Sequence, residues 1–270
     1  MLPITLVVGL PEIAFLGDHA IAGKAIVPAV EILDLLLHVL DQQGVPLGAP
    51  LTMRDVTFPR FLPADDLPRC TFEATLADAH GGVRATFASR IALPSGIQRQ
   101  RIHAEATFGA PVPAPPVPPT EVAAEFEVPA GRVYRELVRF GPHFSNLREN
   151  LRLAREGAWA TVESPVPPHP HPSRAGCPYL LDSAMHLACV WGQRYAGVVA
   201  YPTGFASRNV FAPIPHGRRR CTAVARTVEP RRLCFDLWLS DDEDRVSDAI
   251  AGLVMVPLAA GAPPPPWILA

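Results

Sequence analysis

The chain has 270 residues, 49% of them hydrophobic, and a formal net charge of −2, which suits one large domain or two small ones with a buried core. The balance of charge leaves no basic footprint for nucleic acid, and no apolar run approaches the roughly 20 residues of a membrane span. The amino terminus, MLPITLVVGLPE, lacks the basic start of a signal peptide, and the five cysteines (Cys70, Cys177, Cys189, Cys221 and Cys234) are odd in number and form no CxxC pair, so a cytoplasmic protein without a disulfide framework or zinc site is expected.

Residues 1–17 read as a strand, ITLVV, a turn at Gly9–Pro11, and IAFLG. The stretch HAIAGKAIVP follows, with His19 on an extended or looped segment, Gly23 four positions on, and Pro28 five beyond that. Glycine permits close backbone approach or an unusual φ, and proline suits the first turn of a helix. A helix is predicted over 29–43, because Val30, Leu33, Leu36, Leu37 and Leu40 recur three or four apart on one face. The period then changes. LTMRDVTFPRFLP (51–63), RCTFEATLAD (69–78), GGVRATFASRIAL (81–93) and QRIHAEATFG (100–109) alternate β-branched and aromatic residues between Gly, Pro and Asp turn signals, as antiparallel strands do.

Proline is abundant, at 32 residues, and six of the ten positions in PVPAPPVPPT (111–120) are proline. Such a segment is stiff and extended and packs no core. It divides the chain into units expected at 1–110 and 131–260, with a linker over 111–130 and a tail over 261–270. The second unit repeats the plan of the first: a short helix or turn at GRVYRELVRF, a strand pair around LRLAREGAWATVES, and a loop containing His169 and His171. An apolar helix, YLLDSAMHLACVWGQRYA, follows, with Leu180, Ala184, Leu187, Ala188 and Trp191 on one face. Four more strands begin at GFASRNVF, RRRCTAVA, RRLCFDLW and VSDAIAGL, with DDEDR (241–245) as a solvated hairpin tip. One long helix with antiparallel strands, twice over, points to a duplication of architecture without a visible sequence repeat.

Three stretches carry a resemblance. HAIAGKAIVP is similar to the HxxxGxxxxP motif of polyketide synthase dehydratase domains, FGPHFSNL (140–147) to their YGPxFxxL motif, and LLDSAMH (180–186) to their DxxxQ/H motif. PTGFASRNVFAPIP (202–215) resembles the stretch that follows. The order and separations agree, and the likeness spans nearly the whole chain. It implies an α+β double hotdog: two long helices, each wrapped by an antiparallel sheet, packed as a pseudo-dimer. One departure stands in the second motif, where Phe140 replaces the usual tyrosine beside Gly141 and Pro142. No ketosynthase, reductase or carrier sequence accompanies these motifs, so a free-standing dehydratase, monomeric or homodimeric, is expected.

The implied chemistry is loss of water from a β-hydroxyacyl thioester. A base must take the α-proton and an acid must protonate the leaving hydroxyl. The resemblance makes His19 the base and Asp182 the acid; imidazole suits the first role, and apolar neighbours would raise a buried carboxyl for the second. Gly23 and Gly141 are candidates for bringing backbone N–H groups to the thioester oxygen. His186, one helical turn from Asp182, is placed to hydrogen-bond it. Tyr134 and His186 are candidates to replace the missing tyrosine hydroxyl. No metal or cofactor is called for, the substrate being carried on the phosphopantetheine arm of an acyl carrier protein, with other synthase components as further partners. Arg218–Arg220 would suit an acidic carrier. Singly, each of these residues has an ordinary structural reading; His38, His80, His103 and His216 carry no motif. A non-catalytic acyl-binding scaffold, or an isomerase or cyclase using the same pocket, are the competing functions.

Overall fold

The alternating stretches form strands in the computed structural model, which describes residues 3–10, 15–92, 97–113, 116–165, 173–213, 216–258 and 263–270. His169, His171 and the last two residues of the 202–215 stretch lie outside the described residues. The first half contains β1 (Ile4–Val8), a short hairpin of β2 (Ala20–Ile21) and β3 (Lys24–Ala25), helix α1 (Ala29–Gln42), and strands β4 (Leu51–Thr57), β5 (Cys70–Ala79), β6 (Gly82–Ala92) and β7 (Gln98–Phe108). The second half contains β8 (Phe126–Pro129), the helical turn α2 (Ala130–Arg132) running into a π-helical stretch (Val133–Leu137), β9 (Leu147–Ala154), β10 (Gly157–Glu163) and helix α3 (Pro178–Trp191), itself continued by a π-helical stretch (Gly192–Ala196). Strands β11 (Ala200–Val210), β12 (Arg218–Glu229), β13 (Arg232–Ser240) and β14 (Val246–Pro257) follow, and a last turn, α4 (Pro266–Leu269), ends the chain.

Twelve strands form one antiparallel sheet in the order β1-β5-β6-β7-β4-β11-β14-β13-β12-β10-β9-β8. Its midpoint is a seam: β4 pairs with β11, Leu51 opposite Val210 and Ser207 opposite Arg54. One part of the sheet wraps α1 and the other wraps α3, and the two helices pack on each other. This is the double hotdog. The predicted stripe on α1 is buried, and so are Ile32, Leu35 and Val39. On α3 every position from Pro178 to Trp191 is buried. A helix enclosed by its sheet and by a second helix has no wet face, so its apolar residues run nearly all round.

Two segments are more ordered than their composition suggests. Strand β8 falls inside the stretch assigned to a linker; it is an edge strand of four residues ending in proline, which only an edge tolerates. Further back, Trp238 donates its indole N–H to the Pro116 carbonyl at 2.9 Å, pinning the proline-rich segment to the sheet. The C-terminal stretch, expected as a tail, packs through Ile268, which is fully buried.

The start of α3 is fixed by a buried ion pair. Arg208 on β11 meets Asp248 on β14 through Nε at 3.0 and 3.1 Å, and its Nη2 donates to the Ala175 carbonyl at 2.9 Å, just before the helix. Asp248→Ala would leave a buried guanidinium without its counter-charge. A loss of about 3–5 kcal/mol in unfolding free energy is expected, measured by urea denaturation.

Candidate active site

The spacing of the first motif is explained by the β2–β3 hairpin. Ala22 and Gly23 occupy its turn with φ of 51° and 77°, the conformation of a tight hairpin turn that glycine favours. The hairpin brings Ile26 back beside His19: the Ile26 N–H donates to the His19 carbonyl at 2.9 Å, and His19 Nδ1 donates to the Ile26 carbonyl at 2.8 Å. A carbonyl can only accept, so Nδ1 carries the proton and Nε2 presents a lone pair. Two residues on, Pro28 caps the start of α1 rather than forming its first helical residue.

Nε2 of His19 faces Asp182 Oδ1 at 3.8 Å, across from one half of the molecule to the other. The second carboxylate oxygen lies 2.9 Å from Nε2 of His186, one turn along α3, at an angle short of a straight hydrogen bond. Tyr134 fixes His186 from behind. Its phenolic oxygen accepts the N–H groups of Asn146 and Leu147, both at 3.0 Å, and its own hydroxyl proton is left for His186 Nδ1 at 3.3 Å. Burial pushes the Tyr134 phenol up, so it remains a donor at any ordinary pH. Tyr134 therefore reaches Asp182 only through His186.

Phe140 lies between the two imidazoles, stacked on His19 with ring centres 4.5 Å apart and tilted against His186 at 4.8 Å. Phe144 closes on His19 from another side at 4.9 Å. The turn Pro142–Phe144 begins at Pro142 and holds these rings in place.

Two expectations are corrected. The apolar surroundings were to keep Asp182 neutral. Burial does oppose its charge, but the imidazoles of His186 and His19 outweigh burial and hold the carboxyl below its usual value. It is not a lone acid. The oxyanion donors are also not the two glycines. The Gly141 N–H is committed to the Asp18 carbonyl at 2.7 Å, and Gly23 sits in an exposed turn. The first turn of α1 is better placed: Ala29 and Val30 line the cavity, and the leading amides of a helix have no partner one turn back. For His19, burial dominates and lowers the imidazole below its ordinary range, opposed in part by Asp182, so the free base prevails at neutral pH.

His19, Asp182 and His186 open on a cavity of about 530 Å³ between the halves. His103, given no role by the sequence, is buried on its wall with both nitrogens engaged, by Ser89 Oγ at 2.8 Å and the Arg60 carbonyl at 3.1 Å. Asp18 and His143 were also missed. Asp18 Oδ2 accepts from His143 N–H at 3.1 Å and from its Nδ1 at 2.8 Å, which ties the loop before His19 to the turn after Gly141. An acidic residue directly before the motif histidine was the available signal. Among the described residues no group of three or more His, Cys, Asp or Glu side chains is arranged to hold a metal ion, and no helix is long and apolar enough to cross a membrane.

This clamp explains Gly141. Its φ of −74° is ordinary, so the need is for space: a methyl group there would overlap the Asp18 carboxyl. Gly141→Ala is expected to lower the melting temperature and shift the His19 ring resonances. In the unaltered protein an NMR pH titration of those resonances should place the His19 imidazole below 6.5.

Known proteins resemble this chain over most of its length. The family model described as the polyketide synthase dehydratase N-terminal domain matches residues 110–265, and that described as the polyketide synthase dehydratase domain matches residues 5–90. None of the curated proteins compared matches in sequence. Among solved structures, the chain is similar to an inactive mutant of the CurJ dehydratase (15% identity, 98% of this chain and 93% of that one, TM-score 0.76). It is also similar to the dehydratase domain of PpsC from Mycobacterium tuberculosis, solved with C12:1-CoA (18%, 92% and 91%, 0.72), and to the CurF dehydratase domain of the curacin polyketide synthase (16%, 94% and 92%, 0.74). With one family model covering more than half of its length, the chain belongs to the polyketide synthase dehydratase family.

Proposed function

We propose that His19 and Asp182 remove water from a β-hydroxyacyl thioester delivered on the phosphopantetheine arm of an acyl carrier protein, giving an α,β-unsaturated thioester. One observation carries the assignment: the unprotonated Nε2 of His19 and Oδ1 of Asp182 stand 3.8 Å apart on one wall of an apolar cavity. The division into units at 1–110 and 131–260 goes with it, since His19 comes from the first and Asp182 from the second.

His19 Nε2 takes the α-proton. The electron pair moves towards the thioester carbonyl, whose oxygen is stabilised by the N-terminal turn of α1. The C–O bond at the β-carbon then breaks, the carbon–carbon double bond forms, and the hydroxyl leaves as water with a proton from Asp182. Base and acid share one face, so the proton and the hydroxyl depart from the same side of the chain. Asp182 has to be neutral at that moment. Loading the cavity expels water and inserts the substrate hydroxyl between Asp182 and His19, and both changes push the carboxyl back towards its neutral form. The proton gained by His19 afterwards passes to Asp182 through one water bridging the 3.8 Å gap, closing the cycle.

His19→Ala should abolish turnover with the fold intact, and Asp182→Asn should cost about 10²–10⁴-fold, as removal of a general acid or base does. The assay is loss of the mass of water from a simple β-hydroxyacyl carrier-protein substrate. Near wild-type turnover in folded His19→Ala removes His19 as the base, and an unchanged mass with the native protein favours the scaffold or isomerase reading. The acid limb of kcat/KM should lie below pH 6.5, because protonating His19 removes the base and burial has lowered its pKa, and the rate should fall again at higher pH as Asp182 loses the proton it must deliver. Tyr134→Phe removes one hydrogen bond from His186, worth about 1 kcal/mol, so kcat should fall about fivefold.

A further inference from the structure

The residue before His19 and the residue behind Asp182 are joined by one run of hydrogen bonds. Asp18 Oδ2 accepts from the His143 N–H and from its Nδ1, and the Asp18 carbonyl takes the Gly141 N–H. The His143 carbonyl accepts in turn from Asn146 Nδ2 at 2.8 Å, and the Asn146 N–H donates to the Tyr134 oxygen at 3.0 Å. Tyr134 then reaches His186 Nδ1 at 3.3 Å. The run starts beside His19, crosses from the first half to the second, and ends at the imidazole that meets Asp182. Asn146 at its centre is fully buried.

The same turn carries the rings that enclose His19. Phe140 stands just before it and Phe144 at its end, both packed on the imidazole. Ser145 Oγ lies 3.0 and 2.8 Å from the Phe140 and Gly141 carbonyls, which braces the turn so that it moves as a unit. Displacing it at Asp18 therefore displaces both walls of the base. On the other side, Phe15 takes a φ of 67°, which a bulky side chain rarely adopts, and its ring lies within 4° of parallel on the His143 imidazole. Such strain persists only where the surroundings impose it. Here it covers one face of His143 and leaves the Nδ1 edge to Asp18. Neither Asp18 nor His143 is among the residues that line the cavity, so they act on the reaction only through the groups they hold.

We propose that Asp18 and His143 are positioning residues that set base and acid against each other: their clamp holds His19 between its aromatic walls and, through Asn146 and Tyr134, braces His186 behind Asp182. This rests on the assignment of His19 and Asp182 as base and acid. Asp18 acts by position rather than by charge. The groups that act electrostatically on His19 are Asp182, His186 and Glu31, and burial outweighs them.

The test is steady-state turnover of a 3-hydroxyacyl carrier-protein substrate, with an NMR pH titration of His19, in Asp18→Ala, Asp18→Asn and His143→Ala. Opening the walls admits water to the imidazole, weakens the effect of burial and raises its pKa towards 6.5. Asp18→Ala should lower kcat about tenfold or more, as a small misplacement of a catalytic group does, with KM within about twofold of native. The acid limb of kcat/KM and the His19 titration should move upward together. Asp18→Asn keeps one oxygen on which both His143 bonds can converge, so it should restore most of kcat and the native titration. His143→Ala, at a half-buried position, should reproduce the Asp18→Ala pattern and serves if that variant fails to fold. Asp18→Ala combined with Tyr134→Phe should cost less than the product of the two single losses, because both break one run. A His19 titration that stays native in the alanine variants, or a fall in kcat that Asp18→Asn does not restore, makes the clamp a merely structural contact and overturns the proposal. A titration that moves in the variants of a protein that turns over no thioester overturns the base and acid assignment and leaves the hold of the clamp on His19 standing.

Discussion

A carboxylate taken out of water must find its compensation inside the protein, and for Asp182 this comes chiefly from the His186 imidazole, 2.9 Å from one oxygen, with the His19 ring 3.8 Å from the other. Much else follows from that. Each imidazole turns its Nε2 to the carboxylate, and each is held at its other nitrogen, His19 by the Ile26 carbonyl and His186 by the Tyr134 hydroxyl. The rings cannot rotate without breaking these bonds, so the tautomers are set by backbone and phenol rather than by the carboxylate. Phe140 and Phe144 fill the space around His19 with apolar surface and keep competing donors away. The departure at Phe140 is therefore compatible with an ordered site: the position orients imidazoles through its ring face, and the polar support of Asp182 comes through His186.

The spacing of the motifs also acquires a physical meaning. Gly23 stands four positions after His19 because the hairpin must turn in the left-handed region there before returning Ile26 to the histidine. Gly141 is set by a neighbour from the other half, the Asp18 carboxyl packed where a side chain would begin. Two glycines in two motifs thus answer different demands, one conformational and one steric.

The sequence made the helices and strands legible because their periods differ and because turn residues mark the ends. It also led, through motif order, to His19 and Asp182 in one cavity. What it hid depends on contacts across long separations. Nothing near Gly141 shows that its N–H is spent on Asp18, and nothing near Asp182 shows that an imidazole from far upstream opposes the effect of burial. The short strand β8 carries too few residues for a period, and its proline reads locally as linker. The C-terminal Trp267 and Ile268 follow a run of prolines, and only their packing distinguishes them from a tail.

The seam between β4 and β11 has a consequence for how the chain reaches this state. Leu51 finds Val210 only after most of the polypeptide has been made, so the central pairing is the most non-local contact in the sheet and its loop closure is slow. Until it forms, each hotdog offers an unpaired strand edge, the kind of surface through which chains associate wrongly. The cavity lined by His19 and Asp182 also takes in Phe58 and Pro202, beside that same seam. Bringing His19 to Asp182 and removing the aggregation-prone edge are therefore one event, and a newly made chain completes that cavity at the moment it becomes safe from its neighbours.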